Sequence, residues 1–271
     1  MRNEVASWAG VSFLMVALCL TSWAPAASSA ESTEASMANV QATESHPAIE
    51  RRVKEALDGV CEQLSAAKTF SYHADITFDS VLPSFVKLQY SGKMDVTVAR
   101  PNHLAISYES DLGAKRLWYN GRTLTIFDPP HMVYASVAVP DSIDGMVAQA
   151  AQEKNLSIPL RGFDVSNPCV AVYKEVSHSK YVGLNDVGGV DCDHLAFVQE
   201  EADWQLWIDH SEKPRPRKIV ITYKKLPSQP QWEALFSNWR FDRQLPASMF
   251  EPVIPKKAIE TVFVKSKEDQ P

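Results

Sequence analysis

From Phe70 onward the hydrophobic pattern of the chain repeats every two residues, and this alternation limits the possible folds more than any other feature. Segments rich in β-branched and aromatic residues predict successive strands up to about Ala138. The links between them are short, which predicts an antiparallel meander. One link, Asn120-Gly121, predicts a two-residue type I′ hairpin turn, because both residues accept a positive φ.

Two helical patterns accompany the strands. Apolar residues recur at three- and four-residue spacing between Ile49 and Leu64, which predicts an amphipathic helix over 47–67. The segment DSIDGMVAQAAQEKN predicts a second helix with Asp141 as its N-cap. About five more strands follow it. The sequence therefore predicts an α+β fold with about 10–11 antiparallel strands and a helical and loop insert at 141–185.

The first 30 residues have the pattern of a secretory signal peptide, with an apolar run that is short for a membrane-spanning helix. We predict cleavage after Ala30 and a periplasmic location. Lipid attachment at Cys19 is the alternative, which the large residue before it disfavours. Residues 31–45 contain few bulky apolar groups and predict a flexible leader. Residues 46–271 then form a single domain.

The overall charge narrows the range of partners. The formal net charge is −6, and the chain contains no basic block. Such a chain is a poor partner for nucleic acid, which attracts basic surfaces. We expect a monomer whose partner is not a nucleic acid.

Three cysteines remain after the predicted cleavage, namely Cys61, Cys169 and Cys192. An odd number in an exported protein predicts at most one disulfide. Turn-forming residues precede both Cys169 and Cys192, so we predict a disulfide between these two. Three unpaired buried thiols are the alternative.

The stretch DCDHLAF, residues 191–197, brings two carboxylates, a thiol and an imidazole together. On a strand, Asp191 and Asp193 point to one face, whereas Cys192 and His194 point to the other, so the four groups cannot bind one ion. A zinc site needs three or four ligands. We therefore predict no metal here, but a strand in which Asp193 bonds a neighbouring turn and Cys192 is buried or bridged.

No recognisable motif predicts catalysis. The chain lacks the G-x-S-x-G elbow, the H-E-x-x-H zinc motif and the phosphate-binding G-x-G-x-x-G loop. Its histidines are scattered singly, and we expect His73, His103 and His131 to face solvent on separate strands. A cluster of these three is the alternative if their strands are neighbours. The sequence thus predicts no catalytic residue, no cofactor and no enzyme.

Two segments carry a resemblance to a known family. The first contains a strand that ends LWID, Leu206–Asp209, then a turn and a Pro-x-Arg pair that opens the next strand. The second, FSNWRFDRQLPASMFEPVIP, ends in an LPASMF motif at Leu245–Phe250. They resemble a family of predicted bacterial periplasmic proteins, the domain-of-unknown-function class 2092. That family is similar to the lipoprotein carriers LolA and LolB and to the regulator RseB. The resemblance covers roughly Phe70 to Pro255.

The resemblance implies an open LolA-like half-barrel whose concave, apolar face is covered by helices. It implies a periplasmic, non-enzymatic binding or carrier protein that shelters a lipid, a lipoprotein acyl chain or another apolar ligand. Aromatic residues in predicted strands are the candidate lining of such a cavity. They are Trp118, Phe127, Tyr134, Phe197, Trp207, Trp239 and Phe241.

Three alternatives stay open. In the first, the interior of the half-barrel is filled by the protein's own side chains, as in many small barrels. An RseB-like envelope sensor would instead bind a periplasmic or membrane protein. A hydrolase with an unrecognised site is the third reading.

Overall fold

A computed structural model of the chain describes residues 49–154 and 176–263, and it consists of one large sheet and two α-helices. The helices are α1, Arg51–Ala66, and α2, Ile143–Lys154. The strands are β1 Thr69–Val81, β2 Lys87–Ala99, β3 His103–Ser110, β4 Gly113–Tyr119, β5 Thr123–Asp128, β6 Val133–Ala138, β7 His178–Asp186, β8 Asp191–Val198, β9 Ala202–Asp209, β10 Pro216–Tyr223, β11 Gln231–Phe241 and β12 Ile259–Thr261. The predicted signal peptide and leader lie outside the described residues.

The sheet is open and has the order β12-β6-β5-β4-β3-β2-β1-β11-β10-β9-β8-β7. All neighbours are antiparallel except β12 and β6, which are parallel. Two meanders, β1 to β6 and β7 to β11, meet where β1 pairs with β11, from Phe70 opposite Phe241 to Phe78 opposite Trp232. The predicted open antiparallel α+β fold is therefore confirmed.

One face of this sheet carries the core, and we call it the inner face. On β1 every second residue from Phe70 to Ile76 is buried, and the register continues this row across the neighbouring strands. Helix α1 packs on the inner face through Val53, Leu57, Val60 and Leu64, none more than 3% exposed. The opposite side of the sheet is the outer face.

The N-terminal end of α1 is tied to the edge strand β7 by polar contacts. The Glu50 N–H donates to Ser179 Oγ at 2.8 Å, and the Tyr181 N–H donates to Glu50 Oε2 at 2.8 Å. The Arg52 guanidinium lies 4.6 Å from the centre of the Tyr181 ring. These contacts position the helix over the second meander, β7 to β11.

Helix α2 adds Ile143, Met146, Val147 and Ala150 to the same core. Its N-cap is Ser142, not the predicted Asp141, because Ser142 Oγ accepts the Gly145 N–H at 3.1 Å. Neither helix of the described residues is long and apolar enough to span a membrane.

Three further details differ from the sequence prediction. The sheet has twelve strands rather than 10–11, because the three-residue β12 is too short to show an alternating pattern. Strand β7 begins at His178, so the helical and loop insert predicted to reach 185 ends before that residue. A hairpin turn joins β4 and β5 there, but the predicted type I′ turn at Asn120-Gly121 is wrong, because Asn120 is bonded to Thr123 across the turn and only Gly121 has a positive φ. Asn120 instead accepts the Thr123 N–H through its side chain at 3.0 Å.

The packing of α1 generates a first prediction. Leu57→Ala removes a side chain that is 3% exposed, and we expect it to lower the free energy of unfolding by about 2–5 kcal/mol. Glu55→Ala, on the exposed side of the same helix, should change it by less than about 1 kcal/mol. Denaturant unfolding followed by circular dichroism measures both values. Equal effects of the two substitutions would contradict this packing.

Candidate functional site

The inner face is an apolar wall that extends through most of the sheet. Its centre is built mainly from aliphatic side chains that are at most 8% exposed: Met94, Val96, Ile106, Leu117, Ile126, Leu206 and Ile219. The cross-strand register places them side by side, for example Val96 beside Ile106 and Ile219 beside Leu206. Side chains of α1 and α2 pack against this wall in one hydrophobic cluster.

Aromatic side chains flank the wall in two groups. Trp239 lies 4.6 Å from the Tyr72 ring and stacks on Phe241 with a centroid distance of 5.8 Å. Its indole N–H donates to the Pro216 carbonyl at 3.0 Å. In the second meander, Phe197 stacks on Trp204 with a centroid distance of 3.9 Å.

The seven aromatic residues predicted to line one cavity do not share one face. Phe197, Trp239 and Phe241 belong to the inner face or pack against its core. The register places the other four on the outer face: Trp118 opposite Thr125, Phe127 opposite Tyr134, and Trp207 opposite His194. Sequence reasoning missed the aliphatic centre of the wall, although alternation within each strand already grouped those residues. Ligand binding by any of the seven stays a prediction.

An ion pair between the buried Asp128 and the partly exposed Lys115 lies on the inner face next to this wall. Lys115 Nζ contacts Asp128 Oδ2, and His131 Nδ1 lies 3.0 Å from Asp128 Oδ1. Although burial favours the neutral acid, Lys115 and His131 hold the pKa of Asp128 below its usual value. The opposite charges of Lys115 and Asp128 therefore neutralise each other near the turn that joins β5 and β6.

The DCDHLAF segment is strand β8, and its polar groups separate between the two faces as predicted. Asp193 accepts the Tyr181 hydroxyl at 2.7 Å and contacts His210 Nδ1, in the turn after β9, at 2.9 Å. That contact, as its largest cause, raises the pKa of His210. The described residues contain no group of three or more His, Cys, Asp or Glu side chains placed to hold a metal ion.

His194 points to the outer face, where it is enclosed by its neighbours. It stacks on Trp207 at 4.0 Å, and its ring nitrogens lie 2.7 Å from Asn185 Oδ1 and 2.9 Å from Gln205 Oε1. Burial, together with the nearby charge of Lys218, lowers the pKa of His194. Both ring nitrogens are occupied by protein partners, which leaves neither free to act as a general base.

The three histidines predicted to face solvent are far apart in the fold. His73 lies on the outer face of β1, His103 contacts the Phe250 ring at 5.0 Å, and His131 belongs to the turn between β5 and β6. They do not form a cluster, so the alternative reading of these residues is wrong.

The predicted Cys169–Cys192 disulfide is also wrong. Cys192 is free, and its side chain is fully buried. Burial, followed by the nearby Asp209 carboxylate, raises the pKa of its thiol to about 11. Cys61, on α1, is disulfide-bonded, and its partner lies outside the described residues. A turn before each of two cysteines does not determine the distance between them. The Cys192 side chain is instead buried in the packing around β8.

Two open clefts lie at the margins of the sheet, and neither reaches the centre of the apolar wall. One, of about 490 Å³, separates Glu55 and Gly59 of α1 from Asp193 and from the turn at His210 and Pro214. The other, of about 340 Å³, lies beside the end of β11. Among the described residues, α1 and α2 pack against the inner face itself.

Comparison with known proteins identifies the family. The family model described as a predicted periplasmic protein, DUF2092, matches residues 53–264, which include all twelve strands of the described sheet. The chain belongs to the DUF2092 family. The LWID turn and the LPASMF motif of this DUF2092 protein both lie within the matched range. A search of curated proteins found no match.

Solved structures that resemble this DUF2092 protein include LprF from Mycobacterium bovis, with 14% identity, a TM-score of 0.42, and coverage of 77% of this chain and 98% of that one. The lipoprotein LppX from Mycobacterium tuberculosis has 11% identity and a TM-score of 0.43, and the match covers 73% of this chain and 95% of LppX. A LolA superfamily protein from Nitrosomonas europaea has 13% identity, a TM-score of 0.35, and coverage of 73% and 97%.

The state of the cysteines generates a second prediction. In the folded protein, iodoacetamide should leave Cys192 unmodified, because the thiol is buried and its pKa is raised to about 11. After unfolding without reductant, Cys192 should react while Cys61 stays protected in its disulfide. Peptide mapping by mass spectrometry separates the two cysteines. A disulfide-linked peptide that contains Cys192 would contradict the structure.

His73 generates a third prediction. The hydrogen bond that His73 Nδ1–H donates to Asp95, as its largest cause, raises the pKa of His73 above 6.5, so protonated His73 stabilises the fold. That contribution is complete below pH 6.5 and disappears as the pH rises through the raised pKa. NMR titration should show this pKa falling in Asp95→Asn and unchanged in Glu260→Gln, which alters a distant carboxylate on β12. An unchanged His73 pKa in Asp95→Asn would refute the assignment.

Proposed function

We propose that the protein is a non-enzymatic periplasmic binding or carrier protein that shelters an apolar ligand, such as a lipid or acyl chain, on the inner face of its sheet. One observation carries the proposal: the apolar wall belongs to a single open sheet and is covered by helices rather than by a second sheet. A cover made of a helix can separate from the sheet without breaking the ladder of strand hydrogen bonds.

The free energies make an exchange between helix and ligand reasonable. Burial of the four apolar side chains of α1 contributes roughly 6–12 kcal/mol, as an upper estimate. An acyl chain with about 14 CH₂ groups contributes about 11 kcal/mol when it is fully sheltered. A ligand of this size therefore contributes about as much as the α1 contacts that it would replace.

The polar contacts of α1 favour a hinged movement. The shortest hydrogen bonds that tie the helix to the sheet lie at its N-terminal end, at Glu50, Ser179 and Tyr181, whereas the one from Arg100 to the Leu64 carbonyl near the other end is 3.4 Å long. Towards its C-terminal end, Leu64 and Ala67 contact the core and the chain continues directly into β1. A ligand then enters beside Val53 and Leu57 on the apolar side of α1, while the disulfide of Cys61 keeps the helix attached.

The first test is to identify what the protein carries. We expect native mass spectrometry of protein purified from its own periplasm to show a bound apolar molecule, and organic extraction to release it. Repeated recovery of ligand-free protein that also fails to bind added fatty acid or phospholipid would overturn the proposal. A tightly bound protein partner without any lipid would instead favour an interaction module.

A lock on α1 gives a sharper test and a fourth prediction. A Cβ added at Gly59 would lie 3.0 Å from Pro214 Cγ, so cysteines at both positions are within reach of a disulfide. Oxidised Gly59→Cys/Pro214→Cys should lose at least roughly tenfold in affinity for a fluorescent fatty acid, because the lock holds α1 in place. The reduced form should bind like the wild type treated with the same reductant.

The matched control is a disulfide that does not involve α1. Lys93 and Glu109 are cross-strand partners on the outer face of β2 and β3, so Lys93→Cys/Glu109→Cys introduces a lock within the sheet. It should leave fatty-acid binding unchanged. Full binding by the oxidised α1 lock, with the disulfide confirmed by mass spectrometry, would show that the ligand does not enter beneath α1.

A further inference from the structure

The cleft beside the end of β11 has a polar wall, and this wall is not part of the inner face. It has a volume of about 340 Å³ and lies along β1, β2 and β11 where β11 leaves the sheet. Its polar side consists of Ser71, Thr97, Arg240, Arg243 and Gln244. Ser71 is the cross-strand partner of both Thr97 and Arg240, so these three side chains leave the outer face side by side.

The turn that carries Arg243 is fixed to the start of β1 by three hydrogen bonds. The Asp242 N–H donates to the Thr69 carbonyl at 2.8 Å, and Asp242 Oδ1 accepts the Lys68 N–H at 3.0 Å. The Thr69 hydroxyl donates to the Arg243 carbonyl at 2.7 Å. Asp242 has a φ of 50°, which reverses the chain after β11 and brings Arg243 back beside Arg240.

Neither guanidinium of this cleft has a carboxylate partner within 4 Å among the residues that the structure describes, whereas other arginines do. Asp209 pairs with Arg215 and Arg217, and Glu109 pairs with Arg116. On the face that Arg240 shares, Asp95 is engaged by His73 at 2.7 Å. A chain with a net charge of −6 therefore leaves two positive charges unneutralised in one cleft.

We propose that this cleft binds a phosphate group. Guanidinium groups present paired N–H donors that match the oxygens of a phosphate, and an ion pair of this kind is stronger than a neutral hydrogen bond. The hydroxyls of Ser71 and Thr97 and the amide of Gln244 supply further donors around the same space. The anion would also relieve the repulsion between the two arginines.

The other wall of the cleft is apolar and includes Leu245, Pro246 and Met249 of the LPASMF motif. The motif is held in place by Phe250, which is 2% exposed and packs on His103. This wall favours a phosphate that bears an apolar substituent over the free ion. The site is on the outer face, so it does not depend on the ligand proposed for the inner face, and each proposal can fail without the other.

Isothermal titration calorimetry with the full mature chain at low salt tests the site with two probes, inorganic phosphate and dihexanoylphosphatidylglycerol below its micelle concentration. We expect Arg240→Gln/Arg243→Gln to weaken binding of both probes at least roughly tenfold. Lys256→Gln/Lys257→Gln makes the same change in net charge at two exposed lysines outside the cleft and should change affinity less than about twofold.

The two probes also distinguish the source of the phosphate. Tighter binding of the lipid, reduced by Met249→Ser while inorganic phosphate binding is unchanged, indicates a phospholipid headgroup. Equal or tighter binding of inorganic phosphate indicates the free ion. Arg240→Lys/Arg243→Lys keeps the charge but loses the paired donors, and it should bind with intermediate affinity.

Three outcomes would overturn the proposal: no binding of either probe to the wild type, equal loss in the arginine and lysine double variants, or an unchanged affinity in Arg240→Gln/Arg243→Gln. Both arginines are exposed, and circular dichroism melting curves confirm that each variant is folded before titration. If the double variant melts early, Arg240→Gln alone carries the test, with an expected loss of several-fold.

Discussion

The whole architecture depends on covering one apolar face of a single twelve-stranded sheet. A sheet of this width exposes far more apolar surface than a soluble protein tolerates, and here two helices supply the cover instead of a second sheet. Helix α1 supplies part of this cover through its apolar stripe of Val53, Leu57, Val60 and Leu64. The proposed binding function uses the same contacts, since the surface that stabilises the fold is the surface a ligand would share.

Most of the fold could be predicted from local patterns. The period-two alternation identified the strands, and the apolar spacing from Val53 to Leu64 identified α1. Alternation separates the two faces within one strand, but it does not show which face of that strand continues which face of the next. It therefore could not predict which side of each strand would be covered. That is why Trp118 and Phe127 were grouped with Phe197, although the register places them on opposite faces. The short strand β12 has no pattern of its own and is defined only by its pairing with β6.

The polar residues show the same division between local and long-range information. Local alternation correctly separated Asp193 from His194 and placed Cys192 in a buried strand. The partners of these groups could not be predicted, because Tyr181, Gln205 and His210 reach them only through the assembled sheet. The cysteine pairing failed for this reason, since closeness to a turn is not closeness in space. The arginine cleft was missed likewise, because its walls come from both ends of the domain.

The pairing of β1 with β11 has a consequence for how the chain reaches this fold. When a polypeptide emerges with its N-terminus first, β1 to β6 can assemble early through contacts between sequence neighbours. Until β11 has emerged, however, the second edge of β1 has no partner and is open to pairing with other chains. Closing this seam joins segments from opposite ends of the domain, and pairings over such a sequence separation form slowly in general. Protecting the unpaired edge of β1 from other chains is therefore most important before Phe241 has emerged.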